Sequence, residues 1–356
     1  MAKSPAMSDV SRIGVVVIGR NESARLAACL SSVDECRGRV VYADSASTDA
    51  SRDIARDHDA IVVEIDASKR LSPARGRNEG YATLLQHFPD CEFIQFVDGD
   101  SVVSPGWIET GAALLLEHDQ VGVVCGHVVE EHAASSIYNW LCSDEWKGPV
   151  GQIDACGGNA MIRVAALLEA GGFRDDLLAG EEAELMARMR AGRWTVWRID
   201  APMVAHDADL IRFSDWWVRT RRGGYASANV WWLTRHSPQP LYGSQLRSAL
   251  FWVVGVPVLC IGLALVFRLP HLLAVIPALW LLQTARIAFR RGAMNPRSWL
   301  YGAMIMFAKI PEAAGALRGA DGTTAVGPGA GDLPSAGEPG GDDHAPQSIV
   351  SGGEEA

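Results

Sequence analysis

No Cys-x-x-Cys pair occurs in this sequence, and its seven cysteines (Cys29, Cys36, Cys91, Cys125, Cys142, Cys156 and Cys260) are scattered. That excludes a clustered cysteine metal site and reads as reduced, buried thiols of a cytosolic compartment. The stretch Met1 to Ser11 is polar and has no apolar core, so no secretory signal is expected there. No excess of positive charge exists either. Against 32 Lys and Arg stand 42 Asp and Glu, a net charge of -10. A nucleic-acid-coating role, which needs a basic face to displace counterions, is thereby disfavoured. No Lys or Arg follows Arg318, whereas seven acids do (Asp321, Asp332, Glu338, Asp342, Asp343, Glu354 and Glu355), so the imbalance sits mainly in the tail. No internal repeat is visible.

What is present allows a sizeable core. Of 356 residues, 48% are hydrophobic and 21% charged, enough for one large domain with additions or for two domains. Residues 12–235 alternate short apolar runs with amphipathic stretches. Ile13 to Ile18 is a β-branched run suited to a strand buried on both faces. A helical pattern follows from Glu22, with Leu26, Leu30 and Val33 as its stripe. Val40 to Tyr42, Ile61 to Ile65 and Phe93 to Val97 read as further strands, with helices starting near Ser47 and Pro73. This β-α-β-α order predicts an α/β fold of parallel strands, with ligands at their carboxyl ends.

Residues 248–267 carry no charge over 20 positions, the length of a spanning helix. Residues 269–285 form a second uncharged run, with Pro270, His271 and Pro277 inside it and Arg286, Arg290, Arg291 and Arg297 after it. A transmembrane hairpin with both ends in the cytosol satisfies the positive-inside bias. The competing reading is a pair of buried core helices. Trp299 to Ile310 is too short to span and reads as interfacial, with Trp299, Tyr301 and Lys309 at headgroup level. The expected organisation is a polar extension at 1–11, a catalytic domain at 12–235, a linker at 236–247, two transmembrane helices within 248–289, an interfacial segment at 290–318, and a disordered acidic Gly/Pro-rich tail at 319–356.

The chemistry concentrates in loops after strands. Asp98-Gly99-Asp100 follows the fourth strand directly. Two carboxylates there suit a hard divalent cation such as Mg²⁺ or Mn²⁺, whose other positions phosphate oxygens can fill. Gly19-Arg20-Asn21-Glu22 follows the first strand, and Asp44 begins Asp-Ser-Ala-Ser-Thr-Asp after the second. Small residues there let a backbone approach a ligand, and Asp44 can accept a hydrogen bond from a base or ribose. Thr48 and Asp49 read as helix caps. Arg77, in Arg75-Gly-Arg-Asn-Glu-Gly80, either binds a nucleotide or is a surface arginine near a helix start. Arg219, Arg221 and Arg222 either neutralise a diphosphate or meet lipid headgroups. Trp146 is a candidate sugar platform, while Trp216, Trp217, Trp231 and Trp232 read as helix packing.

An apolar strand, then Arg-Asn-Glu, Asp-Ser-x-Ser-Thr-Asp, Arg-Asn-x-Gly and Asp-x-Asp in that order, resembles the family 2 glycosyltransferases of GT-A fold over about residues 12–235. The resemblance implies a Rossmann-like, mostly parallel central sheet binding a nucleotide-diphosphate sugar. Gly19, Arg20, Asn21, Glu22, Asp44 and Arg77 would line the nucleotide. Asp98, Gly99 and Asp100 would handle ribose, metal and diphosphate, and His206 could complete the metal site. Cys156-Gly157-Gly158-Asn159 resembles the segment that floors the acceptor side, beside Trp146, and Gly171-Gly172-Phe173 the one that precedes the catalytic acid. In Glu181-Glu182-Ala-Glu184-Leu185 the general base would be Glu182, a glutamate where many members have aspartate, with Glu181 in contention. Glu184 would pair with Arg188 at i+4. Arg219 and Arg222 are the diphosphate candidates.

The implied activity is a metal-dependent, inverting transfer to a lipid-linked or saccharide acceptor, at the cytosolic face of the cytoplasmic membrane. The Gln-x-x-Arg-Trp motif of processive members is absent, which implies single additions. The alternatives are a polyprenyl-phosphate sugar synthase, a catalytically silent nucleotide-sugar-binding scaffold, and a nucleotidyltransferase.

Overall fold

A computed structural model describes residues 10–319. The tail expected at 319–356 and the extension at 1–11 therefore lie almost wholly outside the described residues.

The sheet has nine strands: β1 (Ile13–Gly19), β2 (Val40–Asp44), β3 (Ile61–Glu64), β4 (Phe93–Asp98), β5 (Ser101–Val103), β6 (Val121–Glu130), β7 (Gly151–Ile153), β8 (Ala160–Arg163) and β9 (Thr195–His206). Around it run α1 (Leu26–Ser31), α2 (Ser51–Asp57), α3 (Pro73–His87), α4 (Trp107–Glu117), α5 (Ile137–Glu145), α6 (Val164–Glu169) and α7 (Glu181–Ala191). The order is β3-β2-β1-β4-β8-β6-β9-β5, with β7 on β9. The first four are parallel, as the β-α-β-α pattern predicts. Beyond β4 the sheet is mixed: β8 runs antiparallel to both its neighbours.

β1 is buried from Ile13 to Ile18 because helices cover both its faces. On one face α3 lies close, and a Cβ at Gly80 would stand 2.5 Å from Val16 Cγ1. Strand order reverses between β1 and β4, which opens a crevice at their carboxyl ends. Register brings the chemistry there level: Gly19 pairs with Asp44, and Ile18 with Asp98. Two expectations change. The helix after β1 is a turn until Leu26, though Leu26, Leu30 and Val33 are buried as predicted. The strand expected at about Trp194 to Ile199 runs on through Pro202 to His206 as β9, whose pairing with β6 slips in register near His127 and so tolerates Pro202.

After the sheet come α8 (Phe213–Thr234), α9 (Gly243–Leu250), α10 (Val256–Phe267), α11 (Val275–Arg290) and α12 (Pro296–Gly319). α9 and α10 are joined through a π-turn into one helix, Gly243–Phe267, of 25 residues, and Pro270–Arg290 gives 21 more. Both are long and apolar enough to cross a membrane, and only 11% and 6% of their apolar windows are buried. Buried core helices are thereby ruled out. Val258, Leu265, Val266 and Leu281 face outward, an apolar surface that water would disfavour.

The segment expected at the interface is instead the middle of α12. That helix packs along α8 and α11 because small residues allow close approach. A Cβ on Gly224 would overlap the Glu312 carbonyl, and one on Gly315 would overlap that of Arg221. Lys309, expected at headgroup level, pairs with Glu312 at 2.7 Å. Gly315→Val should therefore force α12 off α8 and destabilise the fold by about 1–3 kcal/mol. A lowered thermal midpoint checks this, with Gly262→Val as control, because an added Cβ at Gly262 meets nothing within 4 Å.

Candidate active site

The floor is built by two laced loops. Asn21 takes a left-handed conformation (φ 58°), its N–H donates to Ser47 Oγ at 2.9 Å, and its Oδ1 accepts from Thr48 N at 2.9 Å. Glu22 N donates to Ser51 Oγ and Ser23 N to Asp49 Oδ2, each at 2.9 Å. Thr48 and Asp49 thus clamp the first loop, and neither is the N-cap of α2, which is Ala50. Arg20 is exposed. Asp44 is fully buried: Oδ2 accepts from Ser47 N, while Oδ1 has no partner. An orphaned buried acceptor is costly, and a ligand N–H or O–H would satisfy it.

Arg77 occupies the centre. Ser72 caps α3, and five residues later the Arg77 guanidinium is almost wholly buried. Nη2 donates to Asp98 Oδ1 at 2.9 Å, and Nη1 to Glu181 Oε1 at 2.7 Å with Glu182 Oε1 at 3.2 Å. Phe173 packs over it, 5.7 Å from the ring centroid. Arg77, expected at the nucleotide, is therefore committed to three carboxylates and joins the end of β4 to the start of α7. Gly158 makes the room: a Cβ there would overlap Arg77 Nη2 and stand 2.9 Å from Glu182 Oε1. Its neighbour Asn159 accepts from Asp98 N at 3.0 Å and donates to Asp98 Oδ2 at 3.4 Å. Asn159, expected to face the acceptor, thus holds Asp98 in place.

The two glutamates differ. Glu181 is buried in its ion pair. The Glu182 side chain keeps 19% exposure, and burial, then the Glu181 charge, pushes its carboxyl up to about 7 against the pull of Arg77. Glu184 pairs with Arg188 at 2.7 Å, as expected, and Arg188 also donates to the Gly172 carbonyl at 2.8 Å.

Asp100 and His206 form the other half, Oδ1 to Nε2 at 3.3 Å. Burial opposes the Asp100 charge, but the hydrogen bond from His206 and its charge outweigh this and hold the carboxyl below its ordinary value. Trp146 stands edge-on to the His206 ring at 5.0 Å. Gly99 is forced by space, because a Cβ there would lie 3.2 Å from both the Ile18 carbonyl oxygen and Glu22 Cγ. Among the described residues no group of three or more His, Cys, Asp or Glu forms a metal cage. Asp98, expected as a ligand, has its oxygens taken by Arg77 and Asn159. Asp100 and His206 remain, with His206 Nδ1 buried and unpartnered. Two protein donors fit a cation that takes its remaining ligands from phosphate and water.

Arg219 and Arg222, expected at the diphosphate, are held elsewhere: Arg219 by Glu145 at 2.8 Å, Arg222 by the Leu178 carbonyl at 3.0 Å. Sequence reasoning missed Asn78, which locks α3 to the Phe173 backbone in both directions (2.8 and 3.0 Å). Its place beside Arg77 in the third motif was the available signal. It also missed Arg25, which pairs with Glu22 at 3.0 Å.

Gly158→Ala should displace Arg77 and leave buried carboxylates unpaired. Destabilisation approaching the ~3–5 kcal/mol of a broken buried pair is expected. A thermal midpoint unchanged from the parent would contradict this packing.

Known proteins resemble this chain in sequence and fold. The profile of the family described as Glycosyl transferase family 2 matches residues 14–168. The succinoglycan biosynthesis protein ExoA of Rhizobium meliloti (strain 1021) is 26% identical over 202 residues, covering 52% of this chain. The chain spans 60% of that relative's length. Among solved structures, the mannosyltransferase PcManGT from Pyrobaculum calidifontis, in complex with GDP-Man and Mn²⁺, is 17% identical, with a TM-score of 0.54 over 86% of this chain and 87% of that one. Residues 14–168 are thus similar to family 2 glycosyltransferases, and the chain has the GT-A fold.

Proposed function

We propose that this protein is a membrane-anchored, divalent-cation-dependent, inverting glycosyltransferase. It moves a sugar from a nucleotide-diphosphate sugar to a hydroxyl of a lipid-linked or saccharide acceptor. One observation carries the reading: Asp98 and Glu182 are held by the same guanidinium. The donor-side carboxylates and the candidate base therefore flank a single crevice. The likeness to a succinoglycan biosynthesis protein supports a saccharide-building role.

A sugar hydroxyl is a weak nucleophile at neutral pH. Glu182 takes its proton during attack, and a base poised near the working pH does this best, contributing ~10²–10⁴-fold. Attack from the side opposite the leaving diphosphate inverts the anomeric carbon. Asp44 receives a donor from the base or ribose, and the Gly19–Glu22 loop lines the nucleotide. A divalent cation, held by Asp100 and His206, would supply charge neutralisation for the departing diphosphate. Glu181 keeps Arg77 balanced and raises the proton affinity of Glu182. A polyprenyl-phosphate acceptor would not need such a base, so the poised Glu182 favours a hydroxyl.

The helices Gly243–Phe267 and Pro270–Arg290 anchor the chain as a hairpin. Arg286, Arg290, Arg291 and Arg297 at its end keep the catalytic domain at the cytosolic face.

Glu182→Gln should lower the transfer rate by ~10²–10⁴-fold with nucleotide binding retained; a mild loss would favour a phosphate acceptor. Because the base must be ionised, kcat/KM should fall as pH drops below about 7. Glu181→Gln removes the negative neighbour that raises Glu182, so this acid limb should move to lower pH. An unmoved or upward-moved limb contradicts the assignment. In thermal-shift assays, a nucleoside diphosphate with Mn²⁺ should stabilise the parent by mass action. Asp100→Asn should abolish the Mn²⁺-dependent part, and His206→Ala should weaken it.

A further inference from the structure

Between α5, α8, α9 and α12 lies a cavity of about 540 Å³. Its size falls within the ~300–1,000 Å³ range of small-molecule sites. Its lining has two natures. Glu145, Arg219, Thr220 and Tyr242 bring polar groups, whereas Leu246, Ala249, Met304 and Ala308 are apolar.

Its position links the membrane to the base. α9 is the opening stretch of the 25-residue apolar helix, so the cavity lies where the chain enters that helix. Tyr242 precedes α9 in a left-handed conformation (φ 58°) and packs against the buried cluster of Ala183, Ala187, Val230 and Leu241. Ala183 directly follows Glu182. The same tyrosine therefore lines the cavity and borders the turn that carries the candidate base. Burial, then the Glu182 charge, pushes its hydroxyl up to about 12, which agrees with that proximity.

Charge narrows the occupant. Among the lining residues the cation is Arg219, already held by Glu145 at 2.8 Å, and the second carboxylate, Glu312, is held by Lys309 at 2.7 Å. A phosphate entering here would meet two acids, each with its cation already engaged. Neutral hydroxyls would meet acceptors and donors they can use. Resting on the reading above, the geometry points to this cavity as the acceptor site for a neutral glycolipid. Its saccharide head lies between Glu145 and Tyr242, and its hydrocarbon tail leaves along α9 and α12.

The test uses the full chain in phosphatidylcholine nanodiscs, titrated calorimetrically with decyl maltoside, decyl phosphate or free maltose below micellar concentration. Gly223→Leu adds bulk at the cavity wall, where a Cβ meets nothing within 4 Å, and leucine suits a helix better than glycine. Ser227→Leu, one turn on, is the second filling variant. Saturable binding of decyl maltoside is expected, at least tenfold tighter than that of decyl phosphate or maltose. It should weaken at least tenfold in either variant whose thermal midpoint is unchanged. Unaltered affinity in both variants overturns the inference, as does decyl phosphate or free maltose binding as tightly as the glycoside. Stabilisation by UDP or GDP with Mn²⁺, measured on the same samples, reports the donor side separately. Its loss alone counts against the enzyme reading, and unaltered glycoside binding alone counts against this site.

Discussion

One buried cation organises the candidate active site. Arg77 meets Asp98, Glu181 and Glu182, which lie 21, 104 and 105 positions away along the chain. A guanidinium removed from water is costly, and only partners of opposite charge offset that cost. The arrangement is therefore stable only when the end of β4, the Gly158 backbone and the start of α7 converge on the same few ångströms. Asn159, Phe173 and Asn78 reinforce the convergence from the side. Stability at this point and geometry of the crevice are the same requirement.

The surplus of carboxylates over cations has a chemical consequence. Two adjacent glutamates share one partner, and their surroundings set them apart. Glu181 is locked and buried, while Glu182 retains some exposure and a raised proton affinity. Environments that push neighbouring acids apart distinguish acid–base roles in other enzymes. The same division holds across the crevice, where Asp98 is spent on Arg77 and Asn159, and Asp100 faces His206.

The apolar helices connect to this site through packing and through a few ion pairs. Close crossing of α8 and α12 depends on Gly224 and Gly315. Arg291, at the end of the second apolar helix, holds Asp144 of α5 by two hydrogen bonds of 2.9 and 2.8 Å. Gly180, which launches α7, lies against Val230 of α8, where a Cβ would stand 2.7 Å from Val230 Cγ2. The helix that begins at Glu181 and the apolar helices therefore share α8 as a common wall.

Much was legible in the residues alone. Runs such as Ile13 to Ile18 and Phe93 to Val97 announce strands, because burial on both faces selects β-branched and aromatic side chains. Uncharged runs announce the hairpin, and short motifs after strands announce the crevice, since both depend on local composition. Partnership was not legible. Arg77 reads as a ligand-facing arginine in its own helix, and only the fold reveals that Glu181 and Glu182 come back to meet it. Asp98 and Asp100 look alike in Asp-Gly-Asp, yet β4 ends at Asp98 and the turn that follows sends Asp98 toward Arg77 and Asp100 toward His206. A register slip near His127 keeps Pro202 to His206 within β9, a pairing that depends on β6 far away in the chain. Sequence determines what is near in the chain and how greasy it is. Which charges meet, and which oxygens stay free, is decided by long-range convergence that no local pattern encodes.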